Sequence, residues 1–422
     1  MGTPEGVYAR LLSIDEDQVQ FYDVTEVSCV PSDSLELSAL LDEYERLIGD
    51  EQQFSWYERG AFTRYEFNKE EELPSTCEKQ ASDPVATFDA LYQLFAENYG
   101  FFEERNIDWE AAAALGTGLT SKSSDEELMS VFQEMLTPFN DGHVYVFDLV
   151  GGSGFLGGSL GELWDAWAEE YEGNPVSENP INPRGTFTEE MQEYVLTKVL
   201  KGEGQSGPYD LLHWGWLSEK VGYLDVHAMQ TYEAEVSVEE ADVIINDAMA
   251  EIMNDLKDAD AIVIDARFNE GGYDTIGYAI GSWFNTKTKV VSQKKAVSDG
   301  GWTALQDITI EGRSSAYQGP VYLLTSSNTI SAAETFTLAM RELPQVTLVG
   351  TATYGSLSDS LGRLLPNGWL VSLSNEIYQS PAGEAFEARG VTPDVEVKYD
   401  EDLSVEENLD HTLEHTLELI AE

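Results

Sequence analysis

The sequence predicts a mixed α/β protein: a small β-rich N-terminal unit, then a helical bundle, then a layered α/β core. Three observations carry this. Residues 1–80 hold β-branched and aromatic runs separated by turn residues. Residues 84–145 switch to apolar side chains at three- and four-residue steps. From Val221 onward, uninterrupted apolar runs alternate with amphipathic stretches, the pattern of repeated β–α units. A chain of 422 residues suggests roughly two to three domains. With 42% hydrophobic and 11% aromatic residues it can bury real cores, which excludes wholesale disorder.

In the N-terminal unit, Val7 to Ile14 and Val19 to Val24 read as strands flanking the acidic turn Asp15-Glu16-Asp17. Phe54 to Phe67, with Trp56, Tyr57, Phe62 and Tyr65, reads as a further strand-like stretch, and Glu70-Glu71-Glu72-Leu73-Pro74 as a solvated linker. This unit is expected to be an accessory or docking module. In the bundle (84–145), Phe88, Leu91, Tyr92, Phe95 and Tyr99 share one helix face. Asp108 is placed to cap a second helix opening at Trp109, and Ser124-Asp125-Glu126-Glu127 begins a third. The helical pattern ends at Asn140-Asp141-Gly142-His143, directly before a strand from Val144 to Phe147.

Residues 146–210 form a glycine-rich insertion that reads either as a lid or as a plain connector. Six glycines fall between Gly151 and Gly161, and amphipathic helices follow around Leu160–Tyr171 and Thr188–Leu200. The core, residues 211–400, reads as strand Val221–Val226, then helix Val238–Leu256 with Ser237 as its cap, then strand Ala261–Asp265. Helix Thr275–Phe284, strand Val321–Leu324, helix Ser331–Arg341 and strand Val346–Gly350 complete it. Residues 401–422 are expected to be an acidic C-terminal helix.

Charge excludes several functions. The 78 Asp and Glu outnumber the 23 Lys and Arg, for a net charge of −55. Such a field repels phosphate backbones and anionic lipids, so nucleic-acid and membrane-surface partners are not expected. Acids spread along the whole chain suit solubility in a salty medium, where counterions screen the repulsion. No run is long and apolar enough to span a bilayer. The start, Met1-Gly2-Thr3-Pro4-Glu5, has neither a basic nor an apolar signal region. The chain as written is either cytoplasmic or an exported protein without its signal. Cys29 and Cys77 lie outside any metal-ligand spacing; they form either a disulfide, which favours an oxidising compartment, or two buried thiols.

Two turns follow buried strands and carry residues suited to chemistry. Thr325 to Glu334 joins a strand to a helix with Ser331 at the helix start, where backbone N–H groups can stabilise an oxyanion. By local pattern alone Ser331 is simply a helix cap, since capping serines far outnumber nucleophiles. Asp265 to Gly272 ends in paired glycines, which allow close backbone approach, but lacks phosphate-loop or dinucleotide spacing. Five histidines are available as a base. His411 and His415 share a helix face without the H-E-x-x-H pattern, and His213 reads as a packed residue between Leu212 and Trp214. His143 and His227, each at an element end, stay open.

Together these segments, over roughly residues 84–398, resemble the C-terminal-processing (tail-specific) serine peptidases. Within them they resemble the tricorn-like and interphotoreceptor-retinoid-binding-protein-like branch. Asp141-Gly142-His143 resembles a D-x-H element, and Asp265 to Gly272 matches D-x-R-x-N-x-G-G. Ser331-Ala332-Ala333-Glu334 matches S-A-x-E, and Gly350…Thr353…Gly355 and Glu387…Gly390-Val391…Pro393-Asp394 match two later signatures.

The resemblance implies a ClpP/crotonase-like core and a serine-type peptidase acting on peptide or unfolded protein. It implies Ser331 as nucleophile and an oxyanion hole from Gly271 or Gly272 with Ala332. Tail-specific members place a lysine where this chain has Ser356, and no lysine occurs from Ala296 to Val397. A Ser–Lys dyad from that element is therefore excluded, and the Ser–His arrangement favours His143. Gly142 stands where a relay serine is expected, so Glu387 is the expected third member, with Asp141 or Ser356 as substitutes. No metal or organic cofactor is implied, and the expected location is periplasmic or extracellular. The alternative on the same fold is a non-catalytic ligand-binding or scaffold protein.

Overall fold

The computed structural model describes residues 2–4, 10–15, 17–39, 44–49, 52–58, 64–69, 72–77, 80–158, 161–170, 183–229, 238–298 and 301–422. The chain divides into two units. One comprises residues 1–159, 294–306 and 358–377; the other comprises 160–293, 307–357 and 378–422.

The first unit begins with a seven-stranded antiparallel sheet. Its spatial order is Cys29–Glu36, Gln18–Val24, Arg10–Asp15, Gly2–Pro4, Arg64–Lys69, Gln53–Glu58, Tyr44–Gly49. Phe54 to Phe67 is thus two paired strands rather than one stretch. Residues 7–9 of the expected first strand lie outside the described residues. Leu12, Val19, Phe21 and Phe67 form the small core beneath the sheet. A disulfide joins Cys29 to Cys77.

Helix Pro84–Asn98 starts where Asp83 accepts the N–H groups of Val85 and Ala86, with proline at the first helical position. Asp108 caps Trp109–Ala112, and Ser124 caps Asp125–Leu136 in a capping box with Glu127. The helices bury Phe88, Leu91, Phe95 and Phe132 against Trp369, Val371 and Leu373. Those last residues sit on a four-stranded sheet ordered Ser360–Leu364, Leu370–Ser374, Tyr145–Phe147, Gly154–Leu156. The bundle therefore rests on a hairpin supplied from more than 200 residues further along the chain.

The second unit centres on another seven-stranded sheet. Its order is Gln205–Ser206, Leu212–Trp216, Val221–Val226, Ala261–Asp265, Val321–Thr325, Val346–Gly350, Val395–Glu396. The five strands from Val221 onward run parallel. Both Val221–Val226 and Ala261–Asp265 are buried throughout, as parallel strands with two covered faces must be. On one face, Leu163, Trp167, Phe187, Met191 and Leu409 pack against Tyr223, Val263, Leu324 and Val349. Helices Val238–Asp255, Asp274–Ser282 and Ala332–Arg341 connect successive strands and pack in a row. Ser237, the expected cap of the first, lies outside the described residues. Val405–Ala421 is the C-terminal helix, capped by Ser404.

Candidate active site

Three loops meet in the second unit, each leaving the carboxyl end of a parallel strand. The first follows Ala261–Asp265. Arg267 is buried and grips Asp265 through Nε (2.9 Å) and Nη2 (2.6 Å), while Nη1 donates to the Leu409 carbonyl at 2.7 Å. Tyr223 donates its hydroxyl to the same carboxylate at 2.8 Å. Asn269 donates to the Val226 carbonyl at 2.7 Å and accepts the Gly271 N–H at 2.8 Å. The motif D-x-R-x-N thus latches a loop, and the loop presents Gly271 and Gly272 at φ +94° and +135°. A Cβ on Gly271 would lie 2.7 Å from Ser331 Cβ, so only glycine permits this approach.

The second loop follows Val321–Thr325. Ser326 donates to the Arg267 carbonyl at 2.7 Å, Thr329 to the Ala266 carbonyl at 2.8 Å, and the Ile330 N–H to the Asn269 carbonyl at 3.1 Å. These bonds deliver Ser331, partly exposed, to the start of helix Ala332–Arg341.

Its backbone is the telling feature, with φ +59° and ψ −126°. The capping serines of this chain, Ser124 and Ser404, have φ −78° and −63° with ψ near 160°, and their hydroxyls accept the N–H groups of Glu127 and Glu407. At Ser331 the serine carbonyl accepts the Glu334 N–H at 2.8 Å and the Glu334 carboxylate reaches back to the Ser331 N–H as in a capping box, so what sets this serine apart is its strained backbone. A non-glycine residue held at such φ and ψ costs about 1–3 kcal/mol and must be over-determined by its surroundings. A sharp strand-to-helix turn of this kind lifts a serine hydroxyl clear of the sheet.

The third loop follows Val346–Gly350. The Ser356 carbonyl accepts the Ser331 N–H at 3.2 Å. Buried Glu387 accepts the Leu357 N–H at 2.9 Å. Gly390, at φ +73°, lets the Glu387 segment touch the loop, since a Cβ there would fall 1.9 Å from the Thr353 carbonyl oxygen. At the centre is Glu334, which received no role in the sequence reading although it ends the S-A-x-E motif. It is fully buried and accepts the Thr353 hydroxyl and the N–H groups of Gly355, Ser356 and Ser331. Burial pushes its carboxyl up to about 7, and these four donors pull the other way. Its hydrogen-bonding role depends on residues some 20 positions away, which the motif does not reveal.

Asp141 and His143 are held together in the first unit. Asp141 follows a left-handed Asn140 and is fully buried. Its carboxylate accepts the His143 N–H (3.0 Å), the Tyr99 hydroxyl (2.9 Å) and the Ser374 hydroxyl (3.1 Å), and pairs with Arg105. Burial pushes Asp141 up, but Arg105, His143 and the hydrogen bonds more than offset it, so the carboxyl sits below its ordinary value. The His143 imidazole is held below its ordinary value by burial, against the raising charges of Asp141 and Asp359. It is therefore neutral, and able to accept a proton, at neutral pH. Lys294, just outside the lysine-free stretch, is committed to Glu376 (2.8 Å) and Asp359 (3.0 Å).

Gly271, Gly272, Ser331, Ala332, Ser356 and Glu387 thus belong to the second unit, and Asp141 and His143 to the first. His227, the other candidate base, is buried with its Nδ1 3.2 Å from Asp225. The N–H groups of Gly272 and Ala332 have no acceptor among the described residues, whereas that of Gly271 is taken by Asn269.

Known proteins resemble this chain in sequence and in fold. The model of peptidase family S41 matches residues 220–397, which contain all three loops. A carboxy-terminal-processing protease of Bartonella bacilliformis is 26% identical over 141 residues, covering 32% of this chain and 30% of that protein. The alignment therefore spans less than a third of that relative's length. Two solved structures share the fold. A candidate peptidase of Parabacteroides merdae has a TM-score of 0.61 at 21% identity, covering 80% of this chain and 97% of that one. Mature CPAF complexed with lactacystin has a TM-score of 0.56 at 12% identity, covering 80% and 98%. Through residues 220–397, this chain is similar to peptidase family S41.

Proposed function

We propose that this protein is a serine peptidase that hydrolyses peptide bonds with Ser331 as nucleophile and His143 as general base. The observation that carries the reading is the backbone of Ser331, strained at φ +59° and ψ −126° where Ser124 and Ser404 cap their helices in relaxed extended backbone. Ser331 Oγ attacks the scissile carbonyl as His143 takes its proton, and the imidazolium then protonates the leaving amine. Water reverses the sequence to release the acyl group. The N–H groups of Gly272 and Ala332, the second at a helix N-terminus, receive the oxyanion. The hydrogen bond from Gly271 to Asn269 favours Gly272 as the donor. Glu387 orients the base, with Asp141 and Ser356 as supporting groups.

The finer architecture is a ClpP/crotonase-like core carrying the N-terminal β-rich unit and helical bundle. The substrate is a peptide or an unfolded protein, and the setting is periplasmic or extracellular. The Cys29–Cys77 disulfide supports an oxidising compartment. Among the described residues no helix is long and apolar enough to cross a membrane.

Labelling the intact protein with a fluorophosphonate and mapping the modified peptide tests this reading. Modification at Ser331, abolished together with peptide hydrolysis in Ser331→Ala, is the expected result. A protein that stays unlabelled and inert toward peptides would be the non-catalytic binder instead.

A further inference from the structure

A second cluster of chemistry-bearing side chains lies in the same unit, outside the three loops. Strand register creates it. His213 on Leu212–Trp216 pairs directly with Asp225 on Val221–Val226, so their side chains share a sheet face. His227 follows Asp225 by two residues, and its N–H is fixed to the Leu211 carbonyl at 2.8 Å. All three are shut from water, at 0%, 0% and 3% exposure. One carboxylate oxygen, Asp225 Oδ2, faces both imidazoles, at 2.8 Å from His213 Nδ1 and 3.2 Å from His227 Nδ1. The rings stand nearly perpendicular, with centroids 5.9 Å apart. One ligand atom from each residue falls within 4.8 Å of the others.

We propose that His213, Asp225 and His227 form a buried binding site for one divalent ion of the zinc class. Read as hydrogen bonds alone, two imidazole protons converge on one oxygen. Asp225 Oδ1 and His213 Nε2 then have no partner among the described residues, although both are buried. A cation gives the carboxylate its missing partner. Tetrahedral zinc with bonds near 2.0–2.1 Å separates its ligand atoms by roughly 3.3 Å. The two carboxylate–imidazole spacings, 2.8 and 3.2 Å, lie close to that value, and the remaining spacing, within 4.8 Å, closes as the imidazoles turn toward the ion. Two imidazoles and one carboxylate select zinc, cobalt or nickel over magnesium or calcium, which require oxygen ligands.

The ion would be structural. It would rivet the end of Val221–Val226 to its antiparallel neighbour, and that end carries the glycine loop: Asn269 donates to the Val226 carbonyl and the Met229 N–H to the Gly271 carbonyl. This inference does not depend on the peptidase reading.

The test is zinc content per chain. The full-length protein is produced with zinc, passed over chelating resin in molar sodium chloride to strip surface carboxylates, and assayed by elemental analysis. His411 and His415, one helical turn apart near the C-terminus, are a competing pair, so His411→Gln/His415→Gln is measured alongside. About one zinc per chain is expected in the wild type and in that double variant. Asp225→Asn and His227→Gln, checked for folding by circular dichroism, should hold less than about a tenth as much. Zinc X-ray absorption of the His411→Gln/His415→Gln variant decides the matter even where Asp225→Asn or His227→Gln fails to fold: scattering from two imidazoles there supports the site. A wild type without zinc, an all-oxygen shell, or zinc lost only with His411 and His415 overturns it.

Discussion

Glu334 Oε2 accepts the backbone N–H of Ser356 at 2.7 Å, which ties the first turn of helix Ala332–Arg341 to the loop that follows the next strand. Its other oxygen holds Thr353 and Gly355. An amide in this place would, in either orientation, turn an NH₂ group toward a backbone N–H that can only donate, that of Gly355 or those of Ser356 and Ser331. Glu334→Gln should lose about 1–3 kcal/mol for each donor left unpaired. Peptidase activity should fall while Ser331 is still present. Urea unfolding and kcat/KM on the same preparation check this, and wild-type values in both would remove Glu334 from the site's support.

The same carboxyl makes stability depend on pH. Its value is about 7 in the folded protein against an ordinary 4.5. The folded state therefore binds the proton more tightly, and stability from this group is fully present below about 4.5 and lost as pH climbs through about 7. The loss is about 3 kcal/mol across that window. Chemical denaturation of wild type and Glu334→Gln at several pH values should show a falling difference curve, and a curve that rises with pH would reverse the assignment.

What the sequence disclosed was local, and what it withheld was distant. Caps at Asp108 and Ser124, buried strands at Val221 and Ala261, and the turn containing Ser331 each declare themselves within a few residues. Arg267 could be placed in a motif, but its bond to the carbonyl of Leu409 crosses 142 positions and leaves no local trace. His213 reads as a packed residue because its partner Asp225 is supplied by strand register, not by spacing. Ser331 is ambiguous for a related reason: residue type fits both cap and nucleophile, and the strain in its φ and ψ leaves no trace in the sequence.

With His143 as base, the acid limb of kcat/KM should fall below the ordinary imidazole value, since burial outweighs the neighbouring carboxylates. Asp359 raises the His143 value, so Asp359→Asn should move that limb to still lower pH. Lys294 keeps Glu376 as its ion-pair partner in that variant. A pH–rate series with a small peptide substrate decides it. A limb that moves upward, or not at all, would detach Asp359 from the base.

Gly271→Ala tests the close approach of the two loops. Its Cβ would meet Ser331 Cβ at 2.7 Å and the Ile330 carbonyl oxygen at 2.8 Å, both rigidly held, and φ +94° disfavours any side chain. Retreat of the glycine loop would carry the Gly272 N–H away from the oxyanion, and loss of one such donor lowers kcat about 10²–10³-fold. KM should change little, because the donor acts on charge that develops only in the transition state. A variant impaired in KM alone would place the glycine pair in substrate binding.

The disulfide makes a separate prediction for the N-terminal unit. Cys29 and Cys77 are 48 residues apart, and closing a loop of that length restricts the unfolded chain by about 4 kcal/mol in the chain-entropy model. Cys29 is buried at the end of an edge strand of the N-terminal sheet, whose described core is the four-residue cluster around Phe21. So small a core cannot absorb a loss of that size, whereas the sheet of the second unit has its own extensive packing. Cys29→Ser/Cys77→Ser should therefore lose hydrogen-exchange protection in residues 10–36 first. Strands of the second unit, such as Ala261–Asp265, should keep theirs. Uniform loss of protection across both sheets would mean that the crosslink stabilises the whole chain rather than its N-terminal unit.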